Sequence, residues 1–445
     1  MLYHKRIALE SHSWARIGAL EANRIKQFTK GVQLALLATS SRTPIPVQGQ
    51  SVQTTRRRLT NGKETEVMKH EATKLATKVN AQSPMEIEVS DVEELYAAVN
   101  DDNNVGKTIV LRNGVYELSR HDAGGEARLN TGRLELKRNM SLRGSDSSEC
   151  VLKVSSSDSP VFNENPTARS GMIKTGLGNH TIEKLTVIAP PQAGSGISTD
   201  LVDLQSQETT IRIAKVISGD PNSEHLTRGI DIRNTGTAVM GRHLKAFIEK
   251  CEFHGGRQGI RIANFQGANG CRVSVEMSGN HCHDNNAGCL ITNHKSTAGA
   301  IEVRSEKDKF TENGVGCTVV GGILSGSSNR TRFVANKIGS NNNNGPLDPE
   351  TRHAGGIVIR GANTQQPNLA SDNQVEVVFT DCKVNGNQAP GDVTAHGAHC
   401  SNPAGIAGKN NTVTISLQGN NNFTVEARDS EPPESPPKTN SVSVT

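Results

Sequence analysis

Histidines and a carboxylate near the middle of the chain have the residue types of an acid–base site. His254 and His283 occupy equivalent positions of two successive sequence repeats, and Asp284 follows the second histidine directly. An imidazole beside a carboxylate is suited to act as a general base or acid near neutral pH. Two stacked imidazoles can also bind a transition metal. No third ligand lies at a diagnostic spacing, so the sequence predicts no metal site and indicates proton transfer.

A row of basic residues follows the same repeat. If the repeat is right, equivalent positions are occupied by Glu252, His281, Lys309, Lys337 and Lys383. Like charges stacked on neighbouring strands repel one another. The last four residues are therefore predicted to bind an anionic substrate, an extended acidic polysaccharide. The alternative is that the lysines keep an exposed sheet soluble.

A third group combines one acidic and two basic residues. Asp231 and Arg233 lie at outward positions of the predicted strand GIDIR, and Arg261 lies at the matching position of GIRI. Arginine side chains are suited to neutralise a substrate carboxylate. We therefore count the two histidines and Asp284 as candidate catalytic residues, and Arg233 as a candidate substrate-binding residue. The same three residues equally fit a structural cross-strand ion pair.

One sequence frame must position all of these side chains. It is N-x-Φ-x-x-N-x-x-G-Φ-x-Φ, with Φ apolar, and its copies begin at Asn280, Asp308 and Asn336. The two offsets are equal, and a period of roughly 20–50 residues is typical of a solenoid, whose units bury apolar residues only by stacking on their neighbours. Side chains alternate in and out along a strand. Equivalent positions should therefore form ladders along the solenoid.

Glycines and asparagines mark the strands and turns of this repeat. The glycines that lead its predicted strands are Gly229, Gly259, Gly288, Gly316 and Gly356. The asparagines expected to stack as a ladder in one turn are Asn285, Asn313 and Asn341. Such a ladder satisfies buried amide groups along the solenoid axis. We interpret both sets as structural.

The repeat is preceded by a distinctive start. The segment MEIEVSDVEELYAAVND (85–101) predicts a strand, a helix capped by Asp91, and then further strands after a turn at Asn113. This order resembles the pectin-lyase-like right-handed parallel β-helix superfamily, in which a helix caps the first coil. The residues that match the superfamily pattern are Gly114, Tyr116, Leu142 and Gly144. The resemblance covers roughly residues 85–425 and implies an all-β, right-handed parallel β-helix with an N-terminal capping helix.

The frame also resembles the generic parallel β-helix repeat of polysaccharide lyases, hydrolases and epimerases. In lyases of this superfamily, a basic residue on one parallel sheet removes the proton next to a uronate carboxyl group. The resemblance implies this part for Arg261, with Asp231 orienting it or binding a cation. The chain lacks the paired-aspartate calcium signature of pectate lyases and the motif set of polygalacturonases. No cofactor is therefore expected, and a calcium ion has no supporting motif.

Composition narrows the remaining possibilities. A net charge of +4 over 445 residues does not indicate nucleic-acid binding. No apolar run is long enough for a membrane span. The eight cysteines match no zinc spacing. Cys289 and Cys317 share a repeat position, and we interpret them as buried thiols, with a disulfide as the alternative.

Three segments are expected along the chain: an N-terminal extension (1–82), the β-helix (83–428), and a disordered tail rich in Pro and Ser (429–445). The apolar segment 31–38 resembles a signal-peptide core, but it is short and lies well inside the chain. The fold suggests a secreted or periplasmic protein, whereas this atypical N-terminus speaks against export. A monomer is expected.

Together these observations predict a protein that binds an extended acidic polysaccharide on an outer face of the helix and processes it as a lyase, hydrolase or epimerase. The repeat region has no Trp, and no Tyr after Tyr116, so a glycan would be held by charge and hydrogen bonds. The alternative is a non-catalytic structural or adhesive β-helix. A groove walled by residues 342–354 and 385–400 would favour the enzyme.

Overall fold

The structure is a computed structural model. It describes residues 86–161, 171–176, 178–190, 193–199, 208–219, 227–235, 241–265, 267–294, 296–323, 327–346, 354–364, 370–387, 392–400, 408–431 and 439–445. The predicted N-terminal extension, with the segment 31–38, lies outside the described residues, as do parts of both loops expected to wall a groove. No helix in the described part of the chain is long and apolar enough to cross a membrane.

The larger of two sheets, here called the wide sheet, contains 19 of the described strands, paired in parallel. Its strands are β1 (Glu86–Val89), β2 (Thr108–Leu111), β3 (Gly114–Leu118), β5 (Ser141–Gly144), β6 (Cys150–Val154), β8 (Gly178–Ile188), β10 (Glu208–Gly219), β12 (His243–Glu249), β13 (Glu252–His254), β15 (Arg272–Ser278), β16 (His281–His283), β18 (Ala300–Glu306), β19 (Lys309–Thr311), β21 (Arg330–Asn336), β22 (Gly339–Asn341), β24 (Gln374–Thr380), β25 (Lys383–Asn385), β27 (Thr412–Gln418) and β29 (Ser441–Val444).

The second, narrow sheet contains the other ten described strands, also in parallel. They are β4 (Leu134–Leu136), β7 (Gly171–Thr175), β9 (Ser195–Ser198), β11 (Arg228–Asn234), β14 (Gln258–Asn264), β17 (Ala287–His294), β20 (Val315–Ile323), β23 (Gly355–Thr364), β26 (Val393–Cys400) and β28 (Val425–Glu431). Each strand pairs with the strand one coil away, so the two sheets form a parallel β-helix. The fold predicted from the repeat is confirmed.

One coil of the helix consists of three strands and three corners. The coil at 272–299 runs through β15, the first corner at Gly279, β16, the second corner at Asp284–Asn286, β17 and the third corner. Other coils have the same order. We call β12, β15, β18, β21 and β24 long strands, and β13, β16, β19, β22 and β25 short strands.

Apolar side chains from both sheets fill the interior. Inward-facing positions of the narrow sheet align from coil to coil, as in the row Ile260, Cys289, Cys317 and Ile357. Glycine precedes each of these residues because a Cβ at Gly288 would lie 2.5 Å from the Gly316 carbonyl oxygen. All eight cysteines are buried, and none forms a disulfide, in agreement with their interpretation as thiols.

A helix lies where the sequence predicted one. Helix α1 spans Val92–Asn100, and Asp91 Oδ1 accepts a hydrogen bond from the Glu94 backbone N–H. Short 3₁₀ turns follow at Asp102–Asn104 and Leu129–Gly132. The buried face of α1, which includes Leu95 and Val99, packs against the first strands and joins the core. Tyr116 is also buried and donates a hydrogen bond to the Val89 carbonyl.

The repeat register differs from the prediction in its third copy. The first two copies align as predicted, with Cys282 beside Phe310, but Phe310 aligns with Ser340 and not with the predicted Ile338. Two extra residues enter near the third corner, between Thr292, which aligns with Val320, and Thr297, which aligns with Ser327. Every position of the third copy before its insertion is therefore displaced by two from its predicted place.

The asparagine ladder follows the corrected register. Asn285 donates to Asn313 Oδ1, Asn313 donates to Asn343 Oδ1, and Asn343 donates to Asn387 Oδ1, with side-chain distances of 3.1, 3.1 and 2.7 Å. The predicted third member, Asn341, was wrong, because it lies two residues earlier on β22. The ladder is structural, as interpreted.

The C-terminus also departs from the predicted segments. Strand β28 continues to Glu431, and β29 (Ser441–Val444) pairs with β27 (Thr412–Gln418). Asn440 extends a further asparagine ladder by accepting from Asn411. The expectation of a disordered tail over 429–445 was therefore wrong for these residues, whose apolar–polar alternation is short but sufficient to add one more coil.

Candidate functional site

The short strands bring together the histidines and two of the lysines selected from the sequence. In register, Glu252 on β13, His281 on β16 and Lys309 on β19 are neighbours on one outer face. The next positions are Gly339 and Lys383. The predicted ladder is therefore confirmed except at its fourth member, which is Gly339 in place of Lys337.

Lys337 lies instead at the first corner. Its backbone φ is 55°, and its amide donates to the Thr380 carbonyl of the next coil. The two-residue change of register moves it from the face of the short strands to the preceding turn. Its assignment to the row of His281, Lys309 and Lys383 was wrong for this reason.

His283 is held by two carboxylates. Its Nδ1 lies 2.6 Å from Asp284 Oδ2, and its Nε2 lies 3.1 Å from Glu252 Oε1. Burial lowers the pKa of His283, but the hydrogen bonds and charges of Asp284 and Glu252 outweigh burial and raise the pKa above its ordinary value. His283 therefore favours its protonated form, which both carboxylates stabilise.

His281 lies beside His283 in a different environment. The two ring centroids are 4.5 Å apart, and His281 Nε2 lies 2.8 Å from Thr311 Oγ1. Burial and then the neighbouring His283 lower the pKa of His281 below its ordinary value. No carboxylate of the described residues hydrogen-bonds to His281. The two neighbouring imidazoles therefore differ in proton affinity, and His283 keeps its proton to a higher pH than His281 does.

The remaining members of this face frame the pair. The ring of His254 stacks on His283 with a centroid distance of 5.4 Å. Lys309 and Lys383 are exposed, while the three histidines are half-buried. Thr311, which the sequence did not single out, follows from the register because it aligns with His283. We call Glu252, His254, His281, His283, Asp284, Lys309, Thr311 and Lys383 the histidine face.

The third candidate group lies on a different part of the molecule, the outer face of the narrow sheet. Asp231 on β11 aligns with Arg261 on β14. Asp231 Oδ2 lies 3.5 Å from Arg233 Nη1 and 3.9 Å from Arg261 Nη1. Both guanidinium groups also lie over the Phe265 ring, at 5.6 and 4.8 Å from its centroid. The three residues come together as predicted.

The side chains of this group are more deeply buried than those of the histidine face. The side chains of Asp231, Arg233 and Arg261 are only 1%, 2% and 3% exposed. A polymer in solution does not reach atoms at that depth in this structure. The geometry therefore favours the ion-pair interpretation over direct contact with a polysaccharide.

Two further histidines lie on the same sheet. Burial and Arg360 lower the pKa of His396 to about 4, and burial and Arg360 lower the pKa of His399 to about 2. His399 Nδ1 lies 3.1 Å from Asn363 Oδ1. Both imidazoles are therefore neutral over the physiological pH range and are not poised to exchange protons there.

A shallow depression of about 610 Å³ lies on the long strands. Arg272, Glu302, Arg332 and Glu376 line it and pair with one another, with Arg332 Nε 3.1 Å from Glu376 Oε2. These side chains compensate one another's charge within the depression. Across the described residues, no group of three or more His, Cys, Asp or Glu side chains is placed to hold a metal ion.

Comparisons with known proteins give resemblances of fold. No family model matches the chain, and no curated protein matches it. Among solved structures, the chain is similar to the Azotobacter vinelandii mannuronan C-5 epimerase AlgE4 A-module (14% identity, TM-score 0.42, covering 80% of this chain and 94% of that one). It is also similar to the catalytic domain of a GH87 alpha-1,3-glucanase (9%, 0.32, 83% and 69%) and to an alginate lyase from Paenibacillus sp. str. FPU-7 (13%, 0.26, 77% and 97%).

Proposed function

We propose that the histidine face binds an extended acidic polysaccharide and cleaves it by proton transfer. The observation that carries the proposal is the pair His281 and His283, adjacent imidazoles whose pKa values are shifted in opposite directions. Titratable neighbours that are shifted apart in this way are suited to separate base and acid roles. The neutral His281 is the base, and the protonated His283 is the acid.

The reaction that fits this pair is β-elimination at a uronate residue. His281 takes the proton from the carbon next to the carboxyl group, and the electron pair of that C–H bond forms a C=C bond. The bond to the glycosidic oxygen breaks, and His283 gives its proton to that oxygen. Atoms and electrons balance without an oxidant, a reductant or water. Lys309, in register with His281, supplies the positive charge that favours the developing anion.

Two lysines of the face are placed to hold the polymer. Lys309 and Lys383 are exposed and lie two coils apart, with Gly339 between them. Coils of a parallel β-helix rise by about 4.8 Å, so the two charges repeat on the scale of a disaccharide. A polyuronate lying along the axis would meet both lysines with alternate carboxylates.

Hydrolysis is less well supported by the same side chains. Glycoside hydrolases use two carboxyl groups on opposite sides of the scissile bond. Here both nearby carboxylates, Glu252 and Asp284, bond to the single imidazole of His283. Because both carboxylates bond to His283, they stabilise its protonated form and do not lie on opposite sides of a bound substrate. This arrangement supports a lyase over a hydrolase.

The test is a screen of uronate polymers that measures both the absorbance of the unsaturated product and new reducing ends. Wild-type protein should give both signals on at least one polyuronate. His281→Gln and His283→Gln should each lower kcat by about 100-fold or more, the usual contribution of a proton-transfer group. His243→Gln is the matched control, since His243 lies on a long strand with its Nε2 2.8 Å from Ser274 Oγ. Reducing ends without unsaturated product would indicate hydrolysis, and no turnover on any polymer would leave a non-catalytic, structural β-helix.

A further inference from the structure

The first corner carries a row of lysines that the sequence frame does not explain. In this turn, each coil from β8 onward places one residue with positive φ, and successive coils align these residues. Along the axis they are Lys184, Lys215, Lys250, Gly279, Lys307, Lys337, Asp381 and Gly419. We call the five lysines the lysine column. Their φ values lie between 54° and 57°.

Turn geometry does not account for lysine at these positions. A positive φ favours Gly and, among other residues, Asn and Asp, because a Cβ clashes with the following carbonyl. The other two corners show this preference more closely. Their positive-φ residues are Gly255, Asp284, Glu312, Asn342 and Gly386 at the second corner, and Gly270, Ala298, Ser328, Asp372 and Asn410 at the third. Among these described corners, lysine is confined to the first, which indicates a role for its charge.

Few lysines of the column form an ion pair, although Asp146 lies close enough to Lys184 and Lys215 for their charges to lower its pKa. Coils about 4.8 Å apart bring like charges close enough to repel one another. Lys307 Nζ lies 3.4 Å from Glu306 Oε1, whereas the other four lysines form no ion pair within 4 Å in the part of the chain that the structure describes. Lys215, Lys250 and Lys337 are exposed. Lys250 extends over Gly279, with its Cγ 3.8 Å from the position of a Cβ there.

The residues next to the lysine column indicate which kind of anionic ligand fits it. The residue before each of three lysines is acidic: Glu183, Glu249 and Glu306. Glu249 pairs with Arg212 and Glu306 with Lys307, so a strip of mixed charge lies beside the column. A lipid bilayer or a nucleic-acid duplex, which presents negative charge over a broad surface, matches such a strip less well than a single chain does. No aromatic residue lies on the column or directly beside it in the described coils, so single-stranded nucleic acid finds no stacking platform.

We infer that the lysine column binds a linear acidic polysaccharide that lies in single file along the axis of the β-helix. The inference takes its ligand class from the proposed function and adds a second binding track to it. Lys184, Lys215 and Lys250 lie in coils that precede the coil of His281, where the short-strand face carries no lysine in the described residues. The column thus extends the contact with a polymer well beyond the residues that would cleave it.

The experiment is equilibrium binding to immobilised polygalacturonate and heparin, with dextran as the neutral polymer, at several salt concentrations. The test variant combines Lys184→Gly, Lys215→Gly and Lys250→Gly. Glycine fits a positive φ, so this variant should unfold at a temperature no lower than wild type. The matched control is Ala298→Gly with Ser328→Gly, which makes the same backbone change at the third corner without altering charge.

The lysine variant should bind the acidic polymers about 10-fold more weakly at low salt. Its plot of log K against log salt should be shallower by about 2, because each lost lysine releases about 0.7 fewer counterions. The control should match wild type, and dextran should not bind. Unchanged affinity and slope in the lysine variant would overturn the inference, as would tighter binding to phosphatidylserine vesicles or to oligo(dT). Binding requires no turnover, so a protein that binds through the column and cleaves nothing would contradict only the proposed lyase.

Discussion

His281 and His283 lie on one short strand with ring centroids 4.5 Å apart, yet only His283 hydrogen-bonds to carboxylates of the described residues. Residues two apart on a strand share a face, so the two imidazoles meet the same solvent and the same prospective substrate. The difference between them comes from the adjacent coil, which supplies Glu252, and from the following corner, which supplies Asp284. The positions of Glu252 and Asp284 in the coil therefore give two identical side chains different pKa values.

This inequality predicts a bell-shaped pH profile for turnover. Below the lowered pKa of His281 the base is protonated, and above the raised pKa of His283 the acid has lost its proton. Asp284→Asn removes a carboxylate oxygen 2.6 Å from His283 Nδ1. The alkaline limb of kcat/KM should therefore move to lower pH, while the acid limb stays in place.

Asp372→Asn is the control for this change, since Asp372 lies at the third corner and bonds to the Asn410 side chain. It should leave both limbs unchanged. An alkaline limb that Asp284→Asn does not move would contradict the assignment of His283 as the acid.

A buried carboxyl group at the first corner predicts a second pH dependence, in stability. Asp308 is 1% exposed, and burial raises its pKa to about 6. Because the folded pKa exceeds the unfolded value, the folded protein binds a proton more tightly, and stability falls as pH rises from about 4 to about 6. This elevation of the pKa corresponds to about 1–3 kcal/mol. Asp308→Asn should stabilise the protein by this order at pH 8, measured by urea unfolding, and should add little at pH 4.

The structure offers the converse substitution one coil earlier. Asn280 occupies the equivalent place, and its Nδ2 donates to Asp308 Oδ1 and to the Ile248 carbonyl. Asn280→Asp should replace these donations with repulsion between oxygens and destabilise the protein most at high pH. Equal stability of wild type and Asp308→Asn at both pH values would show that Asp308 is not held as described.

The buried ion pairs of Asp231 on the narrow sheet predict a further effect on stability, which arises from lost charge pairing. Asp231→Asn removes the charge that faces Arg233 and Arg261 at 3.5 and 3.9 Å. Leaving buried guanidinium groups with one partner fewer should lower the free energy of unfolding by about 3 kcal/mol. Glu376→Gln, which breaks the exposed pair with Arg332, should lower it by less than about 1 kcal/mol. Full stability with lost turnover in Asp231→Asn would instead place Asp231 in catalysis.

Much of this architecture could be predicted because it depends on neighbouring residues in the chain. The alternation of apolar and polar positions defined the strands, and the leading glycines placed Gly229, Gly259, Gly288, Gly316 and Gly356 in one register. The rows Glu252–His281–Lys309 and Asp231–Arg261 followed from the same frame. These relationships need only the leading glycines, because each row lies at a fixed distance from the glycine of its own coil.

The features that the sequence did not predict depend on where the number of residues per coil changes. Two added residues near the third corner of one coil displaced Lys337, and nothing in the local sequence around Lys337 records that change. The lysine column was missed for the same reason, since its members align only once coils of unequal length are registered. The contrast between His281 and His283 required the diagonal contact with Glu252, which a row-by-row alignment does not show.

The corrected register itself predicts opposite outcomes for two nearby asparagines. Asn343 donates from its side chain to Asn387 Oδ1 and Phe310 O, and its Oδ1 accepts from Asn313. Asn343→Ala should therefore lower the free energy of unfolding by about 2–4 kcal/mol, because several buried groups lose their partners together. Asn341 lies on β22, and its Oδ1 has no hydrogen-bond partner among the described residues. Asn341→Ala should change stability by less than about 1 kcal/mol, and urea unfolding of the two variants side by side measures the difference. Equal losses, or a larger loss for Asn341→Ala, would restore the register of constant offset and return Lys337 to the row of Lys309, because a single coil cannot hold both alignments.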